Sequence, residues 1–485
     1  MSRYLLSIGG AGHRSLKPLV FLAATGALDN ADLRILCVDN DATNGNLVET
    51  LDLIDTYNAI RGPEPWLGDT PLFGPKLELI DRKPWSPFAS EDAHPTLNSY
   101  FHYDVMKANA RDLASLYEFL YDKSKRELSV NEGFRGRPSL GAAVYRAASN
   151  RSDSDDVLGR MRKRMVSETG AGQPVRLFAI GSIFGGTGAA GLPTIPSTLI
   201  NGMEQGREHV LCGGAFLLPY FQFDSSSLDK QGPHANPEDF VLMMKDALDY
   251  YALNPSRYQC VYAIGADRWR HQPRSAVGKA EQLNPSDLTE FLAALAASNF
   301  YITWQPDEAG DGKGPALYVM HRAGENTFSW NDFPERDRIK PLLASFTRFS
   351  FLYLSEFYEA LRRAEESRDI RRSAWYRNLI ERAGVNLHDH QTQTRMNALA
   401  RFCHKFLQWW TELHGNAGVA PELVDTTAFS GNQFHEDRFP SLIPGQKWNR
   451  TAKDAVVDIA KLPHHNMPNL SGFGHFVHAL ATVSR

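Results

Sequence analysis

Short runs of consecutive apolar residues alternate along the chain with stretches whose apolar positions recur every three or four residues. Tyr4–Ile8, Leu33–Val38, Val175–Ile180, Val210–Phe221 and Tyr258–Ile264 are short, mainly apolar runs, the pattern of strands buried on both faces. Helical patterns lie between them: Leu16–Thr25, Phe101–Lys125, Val157–Val166, a stretch from Leu192, and Pro237–Tyr251 with Asn236 as N-cap. Alternating strands and helices predict βαβ units, a parallel sheet and an α/β fold. Leu288–Trp304 is apolar all round, which predicts a helix buried on every side. From Arg336 the pattern turns helical: Ile339–Arg363 with a break near Pro341, Arg372–Arg382, Thr394–His414, and a short last helix at Gly474–Val483. Residues 60–100 and 415–470 read as loop-rich. The expected organisation is an α/β domain over 1–270, a region over 271–335 built around the buried helix and the loop after it, and a mainly helical C-terminal domain over 336–485.

Composition narrows this picture by exclusion. A chain of 485 residues is long enough for two or three domains. Its net charge of −4 supplies no global field for nucleic acid or an acidic membrane. The mean hydropathy is −0.37, and no apolar run reaches the roughly 18–20 residues of a membrane span. Met1–Ile8 runs straight into a glycine turn and reads as a first strand rather than a leader. Cys37, Cys212, Cys260 and Cys403 are far apart and lack metal spacing, as expected for buried thiols in a reducing cytoplasm. The cluster Arg160, Arg162, Lys163 and Arg164 reads as a solvated helix face.

The strongest chemical signal is Gly181-Ser182-Ile183-Phe184-Gly185-Gly186-Thr187-Gly188-Ala189-Ala190-Gly191. It separates a strand pattern from a helix pattern. Glycines let backbone N–H groups approach an anion, and a helix N-terminus adds its positive dipole end. Further glycine or acidic turns follow other strands: Gly9-Gly10-Ala11-Gly12-His13-Arg14-Ser15, Asp39-Asn40-Asp41-Ala42-Thr43, and the loop Gly133–Gly141. In open parallel sheets, ligands bind at the carboxyl ends of the strands. No Gly-x-x-x-x-Gly-Lys-(Ser/Thr) pattern is present, which excludes an ordinary P-loop ATPase.

Gly185 to Ala189 match the Gly-Gly-Thr-Gly-(Ser/Ala/Thr)-Gly signature of tubulin and FtsZ, with Ala190 inserted before Gly191 and Phe184 in place of a small residue. With the other turns in the same order, residues 1–335 resemble the tubulin/FtsZ family. The resemblance implies a tubulin-type Rossmann-like sheet binding GTP or GDP with Mg²⁺. Gly9, Gly10, Ala11, Gly12 and His13, then Gly136, and then Gly185, Gly186, Thr187, Gly188 and Ala189 would contact phosphate. Arg135 or Arg137 would neutralise terminal charge, and Asp41 would lie near the metal. The family hydrolyses GTP between subunits, the next subunit inserting an acidic loop. Two segments fit that loop. One is Asp287-Leu288-Thr289-Glu290-Phe291, with Asp287 and Glu290 as acids. The other is Asp332-Phe333-Pro334-Glu335, with Asp332 and Glu335 as acids. In the second case Leu288–Trp304 is the family's central helix, Asn284 matches its base-contacting asparagine, Pro285 starts the helix, and residues 305–329 are an insertion. The buried helix favours the second.

The chain departs from the family after residue 335, where a β-sheet domain is replaced by helices. In this it resembles bacterial tubulin-like proteins outside the cell-division and cytoskeletal groups. The implied activity is a GTPase completed by head-to-tail self-association into filaments. The alternative is a non-hydrolysing guanine-nucleotide sensor whose region 336–485 binds a protein partner. A third reading, an NAD-binding Rossmann oxidoreductase, rests on Gly9–Gly12 and Asp39 but lacks the Gly-x-Gly-x-x-Gly spacing. His388-Asp389-His390, His464-His465 and Cys403-His404 read as ordinary polar or helical positions rather than metal sites.

Overall fold

The computed structural model describes residues 1–62, 72–88, 95–130, 133–134, 137–151, 156–223, 237–253, 257–266, 269–272, 280, 283–309, 315–322, 328–415, 422–446, 448–462 and 472–485. Among the described residues there are nine strands: β1 (Ser2–Ile8), β2 (Leu33–Val38), β3 (Leu77–Leu79), β4 (Val175–Ser182), β5 (Val210–Leu217), β6 (Phe221–Phe223), β7 (Cys260–Ala266), β8 (Arg270–Gln272) and β9 (Ala316–Arg322). Seven form one sheet in the order β3-β2-β1-β4-β5-β7-β9, and every pairing in it is parallel. β6 and β8 make a separate parallel pair. The central strands are apolar on both sides because both sides are covered. Leu5, Ile35, Ile180 and Ala215 face one core, and Leu6, Leu36, Ala179 and Phe216 face the other. The α/β expectation holds.

The helices Gly9–Thr25, Gly45–Arg61 and Leu288–Ile302 cover the first face, together with helices of the C-terminal region. Pro138–Arg151, Val157–Gly170 and Thr187–Asn201 cover the second. Strand order reverses direction between β1 and β4, the switch point where open α/β sheets bind ligands. The Leu288 helix lies on the same face as the Gly9 helix, although the chain steps the opposite way along the sheet to reach β9. That connection has the hand opposite to the right-handed crossover taken in about 98% of cases. It is accommodated because the helix lies over β4 and β5 as well as β7.

Several local expectations change. The glycine segment after β1 is not a turn: the helix begins at Gly9 itself. The helix after β4 begins at Thr187 rather than Leu192. Glycine lets these helices start without a spacer and lie close to the sheet; a β-carbon on Gly12 would sit 2.6 Å from the Ile180 carbonyl oxygen. Residues 305–329 are not simply an insertion, since they contain β9. The predicted 101–125 helix is a series of short ones broken at Ala110 and Asp122. The basic face of the Val157 helix is not merely solvated: Arg164 pairs with Glu78 beside β3 at 2.7 Å, and Arg160 with Asp81 at 3.2 Å. The loop-rich stretch after 415 contains the Ala452–Lys461 helix. Asn236 and His464-His465 lie outside the described residues. All four cysteines are buried.

The Thr187 helix contains Pro193 and Pro196, which have no N–H to close the helical bonds to the Ala189 and Leu192 carbonyls. Two tyrosines take over. Tyr251 donates to the Ala189 oxygen at 2.9 Å and Tyr258 to the Leu192 oxygen at 2.7 Å. The helix that follows the glycine loop is thereby fastened to the Pro237–Leu253 helix and to the start of β7.

The C-terminal helices share the first core. The His390–His414 helix packs on the Gly45 helix. Phe402 and Phe406 stand edge-on to Phe21 at 5.4 and 5.3 Å, and Trp409 meets Phe291 at 4.7 Å.

Candidate functional site

At the carboxyl ends of β1 and β4, two helices start side by side. Their first-turn N–H groups, on Gly9, Gly10 and Ala11 and on Thr187, Gly188 and Ala189, have no partner within the helix. The N-cap positions Ile8 and Gly186 supply no side-chain hydrogen bond. By contrast, side chains of Asn44, Asp156, Asp287 and Asp389 close the Gly45, Val157, Leu288 and His390 helices. The two open ends touch: a β-carbon on Gly9, whose φ is +71°, would lie 3.2 Å from the Thr187 β-carbon and 3.3 Å from the Gly188 nitrogen. Gly133, φ +91°, approaches the Thr187 hydroxyl from the third loop, its added β-carbon falling 3.3 Å from Oγ1. Three segments distant in sequence thus meet around Thr187, and two helix dipoles converge on the crevice between them, an arrangement that favours an anion.

Within the signature loop, Gly185 and Gly188 also serve packing, since β-carbons there would fall 2.9 Å and 2.4 Å from Ser182 atoms. Phe184, the departure from the family pattern, fills a buried aromatic cluster with Tyr220, Phe221 and Phe240. Arg135 and Gly136 lie outside the described residues.

His13, expected among the phosphate contacts, lies in the interior of the Gly9 helix's packing. Its ring is 0% exposed. Nδ1 lies 2.7 Å from the Ser7 hydroxyl, and Nε2 faces Asp39 at 3.3 Å, so both nitrogens are engaged within the chain. Burial opposes its charge, but Asp39 and Cys37 beside the ring push its pKa up to about 9. The raised pKa favours an imidazolium paired with the Asp39 carboxylate, which ties the Gly9 helix to the end of β2. The residues Ser7 and His13 are six apart on a strand and the helix after it; only the fold unites them with Asp39.

Asp41 follows β2, one strand from the switch point, and is buried. Its Oδ1 accepts from the Thr43 N–H at 3.0 Å and hydroxyl at 2.7 Å. Among the described residues no three His, Cys, Asp or Glu side chains converge as a metal group. Asp41 by itself is a single carboxylate; Mg²⁺ takes one or two from protein and draws its remaining ligands from phosphate and water.

The two acidic segments occupy opposite ends of the Leu288 helix. Asp287 is its N-cap, and Glu290 closes a capping box by accepting from the Asp287 N–H at 3.0 Å. Glu290 is 1% exposed and also meets Arg14 at 2.6 Å and the Tyr220 hydroxyl at 2.8 Å. Burial pushes its carboxyl up to about 6 against the pull of Arg14. Both acids of the first segment are thus buried: Asp287 caps its own helix, and Glu290 ties that helix to Arg14 of the Gly9 helix. Pro285 does not start the helix, because Asp287 caps it. Asn284 precedes it and exchanges two hydrogen bonds with Asn46, at 3.0 and 2.9 Å; it lines a cavity of about 640 Å³ with Lys17, Glu49, Gln408 and Glu412.

The other end of the helix reaches the amino ends of the strands, where Tyr301 donates to the Tyr4 carbonyl at 2.7 Å. Glu335 accepts there from the Thr303 hydroxyl at 2.7 Å and from Arg338 at 2.6 Å. Burial raises the Glu335 carboxyl, but Arg338 and Thr303 outweigh it and hold it below the usual range. Glu335 is non-glycine yet has φ +52°, a conformation uncommon outside glycine. Asp332 is exposed and accepts from the Ser329 N–H at 2.9 Å. Fifteen helical residues separate the two ends, about 22 Å at 1.5 Å per residue.

No known family matches the chain, and no curated protein does. Among solved structures, the chain is similar to CetZ2 from Haloferax volcanii, determined as a GTPγS-bound protofilament. The two are 14% identical, the match covers 64% of this chain and 61% of that one, and the TM-score is 0.30. The chain thus matches less than two thirds of that protein's length. No helix among the described residues is long and apolar enough to cross a membrane.

Proposed function

We infer that this chain is a tubulin-like guanine-nucleotide-binding protein whose GTPase site is completed by a second copy joined head to tail. The observation that carries the reading is the pair of uncapped helix starts at Gly9 and Thr187, in contact at the switch point. Six backbone donors and the Thr187 hydroxyl are placed to hold phosphates there. Asp41 would hold Mg²⁺, which supplies charge neutralisation between phosphate oxygens when bound. Gly9, Gly10, Ala11 and Gly185–Ala189 orient the phosphates, and Asn284, hydrogen-bonded to Asn46, would contact the base.

The polarity of the Leu288 helix supports Asp332 and Glu335 as the acids of the second copy. A site shared head to tail needs the nucleotide and the completing acid at opposite ends of one chain. These two acids meet that condition, whereas Asp287 and Glu290 share the crevice end and are buried. Their role would be to orient the attacking water.

The test is nucleotide content and turnover of the purified protein across a concentration series with Mg²⁺. GTP hydrolysis should rise more than linearly with protein concentration. Asp332→Ala with Glu335→Ala should lower turnover at least a hundredfold while nucleotide remains bound. Bound nucleotide with negligible turnover at every concentration would sink the shared-site mechanism and favour the sensor reading. No bound guanine nucleotide at all would overturn the assignment of the crevice.

A further inference from the structure

On the far side of the Thr187 helix from β4 lies a cavity of about 600 Å³, whose lining shares Ala189 with the phosphate crevice and takes in Arg137, one of the two arginines that the family resemblance places at the terminal phosphate. Its walls are the Pro138–Arg151, Thr187–Asn201 and Pro237–Leu253 helices, and its size is that of small-molecule sites. Ala142, Ala143, Pro193, Met243, Ala247 and Tyr250 make the lining mainly apolar. Two guanidiniums enter it, Arg137 and Arg146. Among the described residues neither meets a carboxylate, and Nη1 of Arg137 is buried without a hydrogen-bond acceptor. Among the described residues Asp246 is the one acid in the lining, so the part of the wall they make carries a net positive charge.

We propose that this cavity is a second ligand site, for a small amphipathic anion. The hydrocarbon or aromatic part packs on the alanines, Met243 and Tyr250. A carboxylate, sulfonate or phosphate head takes the unmet donors of Arg137 and Arg146. The ligand's floor is the first part of the Thr187 helix, at the Ala189 carbonyl that Tyr251 already holds. The proposal does not depend on what the crevice binds.

The experiment uses the full chain and the fluorescent probe 1-anilinonaphthalene-8-sulfonate. One saturable site is expected, and saturating GDP should leave it intact. Arg146→Glu, at an exposed position, and Ala143→Trp, which fills the cavity, should each weaken the probe at least tenfold. The uncharged parent, 1-anilinonaphthalene, should bind at least tenfold more weakly. Affinities within twofold of the parent protein in both variants would overturn the proposal. Displacement by GDP would overturn it as well, because the probe would then occupy the crevice. Loss of the signal in Phe119→Ser would do the same, since Phe119 is an 86% exposed apolar residue elsewhere on the surface.

Discussion

Individual residues at the crevice do their work by being small or by being charged where no water reaches. Gly12 is the clearest case of the first. A methyl group there would meet the Ile180 carbonyl at 2.6 Å and Ser7 at 3.2 Å, and backbone cannot yield as a flexible side chain would. Gly12→Ala should therefore cost about 1–3 kcal/mol, seen as a lower urea midpoint with an unchanged m-value. His13 is the case of the second. Its pKa is raised from 6.5 to about 9 in the folded chain, so the folded state binds the proton more tightly than the unfolded one. The stabilisation is complete below pH 6.5 and is lost as pH rises through 9. Its full size is on the order of 3 kcal/mol. Urea unfolding at pH 6 and pH 9.5 should show that loss in the parent protein and little of it in His13→Gln. An equal pH slope in the variant would place the proton elsewhere.

At the scale of elements, the Thr187 helix owes its integrity to partners outside itself. Tyr251→Phe should leave the Ala189 carbonyl unmet and cost about 1–3 kcal/mol. Pro193→Ala restores an N–H at that position, so the double variant should recover part of the loss, and a double-mutant cycle measures the coupling. Additive costs would show that the two residues act independently. The same elements show what can be read from a one-dimensional pattern. Val175–Ile180 and Leu33–Val38 are legible as strands because burial on both faces leaves them apolar apart from Arg176 and Arg34. The Leu288 helix is legible for the same reason. β3 is only three residues long with Glu78 at its middle, and β9 exposes Leu317 and Val319 at 63% and 66% on one face, so neither stands out from loop. The glycine segments are ambiguous in kind, because the residues that permit a tight turn also permit a helix to begin at once against a strand. Convergence of Gly9, Gly133 and Thr187 is invisible until the sheet order is known. The buried position of Glu290 is equally so, as Arg14 lies 276 residues away in sequence and meets it only through the packing of two helices.

For the whole molecule, the separation of crevice and acid loop along the Leu288 helix makes a complementation test decisive. Gly188→Val, which blocks the crevice, and Asp332→Ala with Glu335→Ala, which removes the acids, should each be inactive alone. Mixed in equal amounts, they should regain measurable GTP turnover, because one supplies an intact crevice and the other an intact acid loop. No recovery in the mixture would place both functions within a single copy. The helices after residue 335 enter this picture as part of the core rather than as an attachment. Phe346 meets Phe73 at 5.9 Å, Trp409 meets Phe291 at 4.7 Å, and Phe402 and Phe406 close over Phe21. For heredity, this makes the two parts one unit. A frameshift just past the codon for Glu335 would encode no smaller, working version of the protein, but a remnant with its aromatic interior laid open to aggregation and proteolysis.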